Sequence, residues 1–150
     1  MVYLDIRNLS SIKQLCRRST LVALAKRICH GEGLTMDSEV SLLFCDDPFI
    51  RELNLQYRGK DAATDVLSFQ QDQLNTTAVC LLGDIVISLE TVQRFCNANR
   101  SAMRKEVNLL FCHGLLHLIG YTHHSRTARK EMTIRQANYL GIEVEQAWHS

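Results

Sequence analysis

The sequence has 150 residues, the length of one ordinary domain, and 46% of them are apolar, which is enough to fill a single hydrophobic core. The 17 Lys and Arg residues nearly balance the 16 Asp and Glu residues, so net charge does not point to a nucleic-acid partner. No apolar run approaches the roughly 20 residues of a membrane span, and the N-terminus has no signal-peptide pattern. We therefore expect one domain over residues 1–150 in a cytoplasmic protein with no membrane partner.

The hydropathy pattern predicts strands that come early in the chain and helices that come late. The predicted strands are residues 2–7, 39–45, 65–69 and 78–88, the last with a bend at Gly83, and residues 70–77 are a predicted surface loop. The predicted helices are residues 11–29, 48–57, 89–99, 101–119 and 125–140, with Gly141 ending the last one. This order favours an α+β fold in which a mixed sheet packs against helices.

Basic residues are concentrated near the N-terminus. Up to His30 there are six Lys and Arg residues and a single acid, Asp5. Such a segment could bind phosphate groups, although basic residues more commonly form a solvent-exposed helix face with no binding role. The six cysteines show no C-x-x-C pair, so we expect reduced thiols, mostly buried.

Three histidines have the spacing of a metal site. His113 and His117 lie four residues apart, which places both rings on one face of the predicted helix. Gly120 can end that helix and let the chain return His123 toward the other two rings. Three neutral imidazoles with one open position are the usual ligands of a catalytic zinc, so the sequence predicts one zinc ion per chain. His124 is an alternative third ligand.

The residue after His113 argues against a protease. The spacing H-x-x-x-H-x-x-G-x-x-H matches the long zinc-protease pattern, but in those enzymes the second residue is the glutamate general base. Here that residue is Gly114, which has no carboxylate. A zinc ion could still support attack on a phosphodiester, whose own oxygens can assist proton transfer.

Several blocks of sequence carry a family resemblance. The segment from His113 to His123, HGLLHLIGYTH, is similar to the H-G-x-L-H-L-x-G-Y-D-H signature of the YbeY family of metal-dependent endoribonucleases. Residues 54–58 and 61–69 resemble the family's N-x-x-Y-R and D-x-P-T-D-V-L-S-F-P blocks, and residues 82–85 resemble its L-G-D-I strand. The chain departs from these patterns at Thr122, where the family usually has Asp, and at Ala63 and Gln70, where it has Pro.

The resemblance implies a zincin-like fold, with a mixed sheet of about four strands and the zinc-site helix near the C-terminus. It implies a zinc-dependent endoribonuclease specific for single strands, acting in 3′-end maturation of the small-subunit ribosomal RNA and in ribosome quality control. Its partners would be ribosomal RNA and the ribosome or ribosomal proteins. If the roles of the family's residues are transferred to the matching positions of this chain, His113, His117 and His123 bind zinc. Arg58 and His113 are then the catalytic residues, and Arg58 binds the scissile phosphate.

Some alternatives remain open at this point. Asp65 and Asp84 are acids that could orient a ligand or transfer a proton, although capping or turn roles are more common for such residues. A non-catalytic ribosome-assembly factor with structural zinc and, less favoured, a zinc peptidase are the alternative functions.

Overall fold

The computed structural model describes residues 1–71 and 79–148. The strands in these ranges are β1 (Val2–Asn8), β2 (Asp37–Cys45), β3 (Val66–Gln70) and β4 (Val79–Ser88). The α-helices are α1 (Arg18–Gly31), α2 (Asp47–Arg58), α3 (Leu89–Phe95), α4 (Arg100–Ile119) and α5 (Arg126–Leu140), followed by a 3-10 helix at Val144–Gln146. Of the predicted loop 70–77, residues 72–77 lie outside the described residues.

The strands form one mixed sheet in the order β1-β2-β4-β3. β1 and β2 are parallel, as are β2 and β4, whereas β3 runs antiparallel to β4 along one edge. The register between β2 and β4 shifts between Glu39 and Val40, opposite the predicted bend at Gly83. The predicted α+β fold with a mixed four-stranded sheet is therefore confirmed.

Helices cover both faces of the sheet, but unequally. The larger core joins the sheet to α1, α3, α4 and α5 through apolar side chains such as Leu42, Ile85, Ile28, Phe111 and Met132. The opposite face carries α2 over a smaller cluster that contains Cys45, Ile50, Leu67 and Val86.

The central helix is α4, and it is enclosed more completely than its sequence predicts. Apolar residues at helical spacing are buried on one side of α4, namely Val107, Phe111, Leu115 and Leu118. Residues around the rest of the helix are buried as well: Leu109, Leu110, Cys112, Gly114 and Leu116. Between Leu109 and Leu118, only His113 and His117 are partly exposed. The histidines thus face an opening in the packing around this half of the helix.

The start of α1 differs from the prediction. The helix was expected from residue 11 but begins at Arg18, and residues 9–17 form an ordered loop. Polar side chains stabilise this loop, because Asn8 Oδ1 accepts hydrogen bonds from the backbone N–H and the hydroxyl of Ser10. Leu15 is buried in the main core, so a tertiary contact fixes the loop against its helical propensity.

Two other boundaries differ from the prediction. Helix α3 ends at Phe95 rather than residue 99, because Asn97 and Ala98 adopt positive φ and Asn99 caps α4 through a bond from the Ala102 N–H. The 3-10 helix after Gly141 has no counterpart in the prediction. In the described part of the chain, none of the helices has the length and apolar character that crossing a membrane requires.

Candidate metal centre

The three predicted histidines converge near the C-terminal end of α4. His113 and His117 lie one turn apart on the helix, and Gly120 ends it with φ +125°, a conformation that favours glycine. The chain then turns back and brings His123 beside the other two rings. One ligand nitrogen from each ring lies within 4.8 Å of the others. His124 is not in this group, although its ring centroid is 5.9 Å from that of His123.

A glutamine of α5 fixes the orientation of His113. Gln136 lies buried, and its Oε1 is 2.8 Å from His113 Nδ1. The amide cannot be turned over, because its nitrogen donates to the Ala147 carbonyl, which can only accept. His113 Nδ1 must therefore carry the proton, and its Nε2 presents the lone pair that can ligate a metal.

His117 is fixed in the same way by the backbone. Its Nδ1 lies 2.8 Å from the Tyr121 carbonyl oxygen, an acceptor, so Nδ1 carries the proton here as well. Burial lowers the pKa of His117, and the hydrogen bond to the Tyr121 carbonyl opposes this only in part. The charges of His123, Arg58 and His124 lower the pKa further by smaller amounts. The structure thus favours the neutral ring, which is the form that ligates a metal.

The donor set fits a zinc ion. The Nε2 atoms of His113 and His117 face each other at 3.0 Å, and two lone pairs at that distance repel unless a cation lies between them. Tetrahedral zinc with bonds of about 2.0–2.1 Å separates two ligand nitrogens by about 3.3 Å, close to this spacing. In the part of the chain that the structure describes, no fourth His, Cys, Asp or Glu joins the group. A tetrahedral metal ion held here would take its fourth ligand from water or substrate.

A cavity of about 180 Å³ opens beside the histidines. Its walls include His113, His123, Gln136, Asp65 and Trp148. The Trp148 ring lies 4.9 Å from the ring of His113 and 5.4 Å from that of His123, centroid to centroid, and Arg129 lies over its face at 5.0 Å. An aromatic wall and one carboxylate therefore border the nitrogen cluster.

Arg58 lies at the end of α2, beside the edge strand β3. It is the last residue of α2, it is exposed, and its Nη2 lies 3.4 Å from the Ser68 carbonyl of β3. The positive charge of Arg58 helps to lower the pKa of His117, so the guanidinium influences the electrostatics of the histidine cluster. An exposed guanidinium with one weak hydrogen bond is free to reorient toward an anion.

The two candidate acids are separated by the sheet. Asp65 precedes β3 and lines the cavity. Asp84 is exposed on β4, and its neighbour Ile85 packs against Gly114 of α4. Since alternate residues of a strand point to opposite faces, Asp84 points away from α4 and from the histidines. Only Asp65 is positioned to act in the cavity.

Two positions where the sequence departs from a motif have structural roles. A Cβ at Gly114 would lie 3.0 Å from Ile85 Cγ2, so the general base is missing at a position where α4 and β4 pack closely together. Gln70, which replaces a family proline, donates from Nε2 to the His117 carbonyl at 3.0 Å. It thereby caps the end of the helix that carries the site.

Sequence reasoning missed Gln136 and Trp148. Gln136 lies 23 residues from His113 in the chain and has no motif around it. Trp148 follows the 3-10 helix that was not predicted, so nothing local placed it at the site. Both contacts depend on how α5 packs against α4.

Fold and site together define an α+β protein with a mixed four-stranded sheet and a three-histidine cluster suited to a metal ion. The family model described as "Endoribonuclease YbeY" matches residues 5–142 of this chain. The chain therefore belongs to the YbeY family.

Individual relatives agree with this assignment. A protein of Pelotomaculum thermopropionicum named Endoribonuclease YbeY is 40% identical over 125 residues, which cover 81% of this chain and 82% of the relative. A protein of the same name from Moorella thermoacetica is 38% identical over 130 residues, covering 81% and 83%. The solution structure of TM1509 from Thermotoga maritima has a TM-score of 0.57 at 30% identity, covering 90% of this chain and 86% of that one.

Proposed function

We propose that this protein is a zinc-dependent endoribonuclease that hydrolyses phosphodiester bonds in single-stranded RNA. The observation that carries the proposal is the convergence of three histidine nitrogens beside an open cavity, in a chain of the YbeY family. His113, His117 and His123 would hold the metal. When bound, zinc supplies a Lewis acid that polarises a phosphoryl oxygen and lowers the pKa of water.

The residues around the metal have separate tasks. Gln136 and the Tyr121 carbonyl hold the protons of two rings on Nδ1, so that both Nε2 atoms point into the site without rearrangement. Such preorganisation is what makes ligand geometry precise. Asp65 is the carboxylate of the cavity and the candidate to accept a proton or orient water there.

Arg58 would bind the scissile phosphate. A guanidinium matches two phosphate oxygens with its planar fork, and it would stabilise the charge that builds on those oxygens during the reaction. Its exposure at the end of α2 leaves it accessible to a polymer substrate. His113 would contribute to catalysis through its nitrogen at the metal.

The biological substrate that we propose is ribosomal RNA, in maturation of the small-subunit 3′ end and in ribosome quality control. This part of the proposal rests on the family resemblance of the histidine segment, the Arg58 block and the L-G-D-I strand. It implies the ribosome or ribosomal proteins as partners, the cytoplasm as location, and residues 1–150 as one functional domain.

The two alternative functions are less well supported. A structural zinc is normally closed by a fourth protein ligand, and the described residues provide only three. A peptidase of the matching pattern needs a carboxylate where Gly114 packs against Ile85.

One experiment separates the three functions. Zinc content is measured in protein purified without added metal, and the same preparation is given single-stranded RNA, double-stranded RNA and a peptide. We expect about one zinc per chain, as one three-histidine site implies, and cleavage of single-stranded RNA alone that a chelator abolishes. Zinc without RNA cleavage would favour the assembly factor, and peptide cleavage would favour the peptidase.

A further inference from the structure

A groove of about 660 Å³ lies between the loop that precedes α1 and the N-terminal half of α4. Its lining includes Arg17, Ser101, Arg104, Lys105 and Asn108, and no acidic residue. We refer to it as the basic groove. The N-terminal basic segment seen in the sequence thus meets a second set of cations that lies more than 80 residues further along the chain.

The walls of the basic groove are held in place. Arg100, the first residue of α4, donates from Nη2 to the Lys13 and Gln14 carbonyls at 3.3 and 3.0 Å, which ties the loop to the helix. Burial raises the pKa of Cys16 to about 11, while the charges of Arg104 and Arg100 act in the opposite direction. Both guanidinium groups therefore lie near the Cys16 side of the groove.

The cations of the groove form no ion pairs within the described part of the chain. Among the residues that the structure describes, Arg17, Arg104 and Lys105 take part in none of the ion pairs. All three side chains are exposed. The groove therefore carries a net positive charge that faces solvent.

The backbone strengthens this positive field. Helices α1 and α4 both begin beside the groove, and neither has an acidic residue in its first turn. The N-terminus of α1 also lacks a side-chain cap. Two helix ends with partial positive charge therefore add to the cationic side chains, and both favour an anion.

The basic groove adjoins the histidine cavity along α4. Lys105 and Asn108 also line a neighbouring surface pocket that reaches Leu109, and Leu109 lines the histidine cavity. Glu106, which is largely buried, lines that neighbouring pocket as well. From His113 to Lys105 the helix rises about 12 Å and turns by about 80° beyond two full turns, a path that a few nucleotides can span. A strand lying in the cavity can thus continue into the groove.

We propose that the basic groove binds the phosphodiester backbone of single-stranded RNA on one side of the cleavage site. The inference rests on the proposed endoribonuclease function, and it adds a phosphate-binding surface remote from the metal. The charge selects a polyanion, and the position beside the histidine cavity selects the strand that is being cleaved. Contacts to the backbone alone bind without sequence preference and depend strongly on salt.

The test removes two cations of the groove, with Arg104→Ala/Lys105→Ala, and compares a control that loses the same charge elsewhere, Arg7→Ala/Lys26→Ala. Both pairs are exposed, and thermal unfolding checks that each variant folds. Binding of a labelled single-stranded DNA of about 15 nucleotides, which carries the same backbone charge, is measured against salt concentration. Cleavage of a long and of a very short single-stranded RNA is measured in parallel.

We expect the groove variant to bind about tenfold more weakly and its salt slope to fall by about 1.4, or 0.7 for each lost phosphate contact. KM for the long RNA should rise, while the very short RNA, which cannot reach the groove, is cleaved as by the unmodified protein. Equal affinity and salt slope in the groove and control variants would overturn the inference. Failure of the proposed function would show differently, as absence of RNA cleavage in every protein with the difference in binding retained.

Discussion

The two ends of α4 differ in how they hold their functional side chains. Near the C-terminal end, His113 and His117 are half-buried, and each has its proton fixed by one partner at 2.8 Å. Near the N-terminal end, Arg104 and Lys105 are exposed, and no ion pair of the described residues includes them. One helix therefore carries a site defined by geometry and a surface defined by charge.

The difference predicts how each end responds to change. A metal site depends on ligand atoms at fixed positions, so losing one ligand or its orienting partner should have a large and specific effect. Each cation on a charged surface contributes nearly independently to the affinity for an anion. Removing a single cation should therefore reduce that affinity only slightly, by an amount that depends on the salt concentration. The following substitutions test the histidine site near the C-terminal end of α4, starting with the largest expected effect.

Gly114→Glu should have the largest effect, on folding itself. A Cβ there already meets Ile85 at 3.0 Å, so the longer side chain must displace β4 and bury a carboxylate. We expect a loss of about 3 kcal/mol or more in the free energy of unfolding, measured with urea. Asn138→Glu, on the exposed face of α5, is the matched control and should be near neutral.

The same variant tests the peptidase alternative. It restores the string H-E-x-x-H, but we expect no casein cleavage, because a peptide also needs a groove and an oxyanion stabiliser. Wild-type stability together with metal-dependent proteolysis would show that the site is closer to a protease than its packing indicates.

Arg58→Ala should reduce cleavage of single-stranded RNA by roughly a hundredfold or more, the usual scale for losing a group that stabilises the transition state. Zinc content and thermal stability should not change, because Arg58 is exposed and has one weak hydrogen bond. Arg58→Lys should recover only part of the rate, since an ammonium cannot make the bidentate contact. Lys60→Ala serves as the control, and full activity of Arg58→Ala would remove this residue from the mechanism.

Gln136→Leu should weaken zinc binding about 10- to 100-fold, the usual cost of removing a partner that orients a ligand. Gln136→Glu should retain more affinity, because a carboxylate can still accept the His113 Nδ1 proton. Zinc affinity is measured by competition with a chelator. If both variants bind zinc as tightly as the unmodified protein, Gln136 does not orient His113.

Mild acidification near neutral pH should change zinc affinity least among these perturbations. Burial lowers the pKa of His117, so its ring stays neutral until the pH falls below the ordinary value of about 6.5. Zinc affinity should hold above that value and decline below it, because protons then compete for the nitrogens. Nucleic-acid binding by Arg104 and Lys105 should show no such step. Zinc affinity that is flat down to about pH 5 would mean that the ligands are not histidines.

The sequence predicted the parts of the molecule that depend on local patterns. The spacing of His113, His117 and Gly120 predicted a helix, its end and the return of His123, and the structure brings the three rings together. The strands, the mixed sheet and the burial of Cys112 were also predictable, because they follow from hydropathy periods and composition.

Features that depend on tertiary packing were not predictable. Gln136 and Trp148 reach the histidines only because α5 and the 3-10 helix fold back over α4. Residues 11–17 were predicted to be helical but belong to a loop, because Leu15 packs into the core and Asn8 bonds to Ser10. The basic groove likewise joins two segments that are remote in the chain.

We propose that His113, His117 and His123 hold one metal ion that RNA cleavage requires. The most direct measurement compares zinc content and single-stranded RNA cleavage in His117→Ala and in His124→Ala, whose ring lies outside the cluster. We predict that His117→Ala loses both zinc and activity, while His124→Ala retains about one zinc per chain and its activity. Full zinc retention in His117→Ala, or equal loss in both variants, would contradict the account.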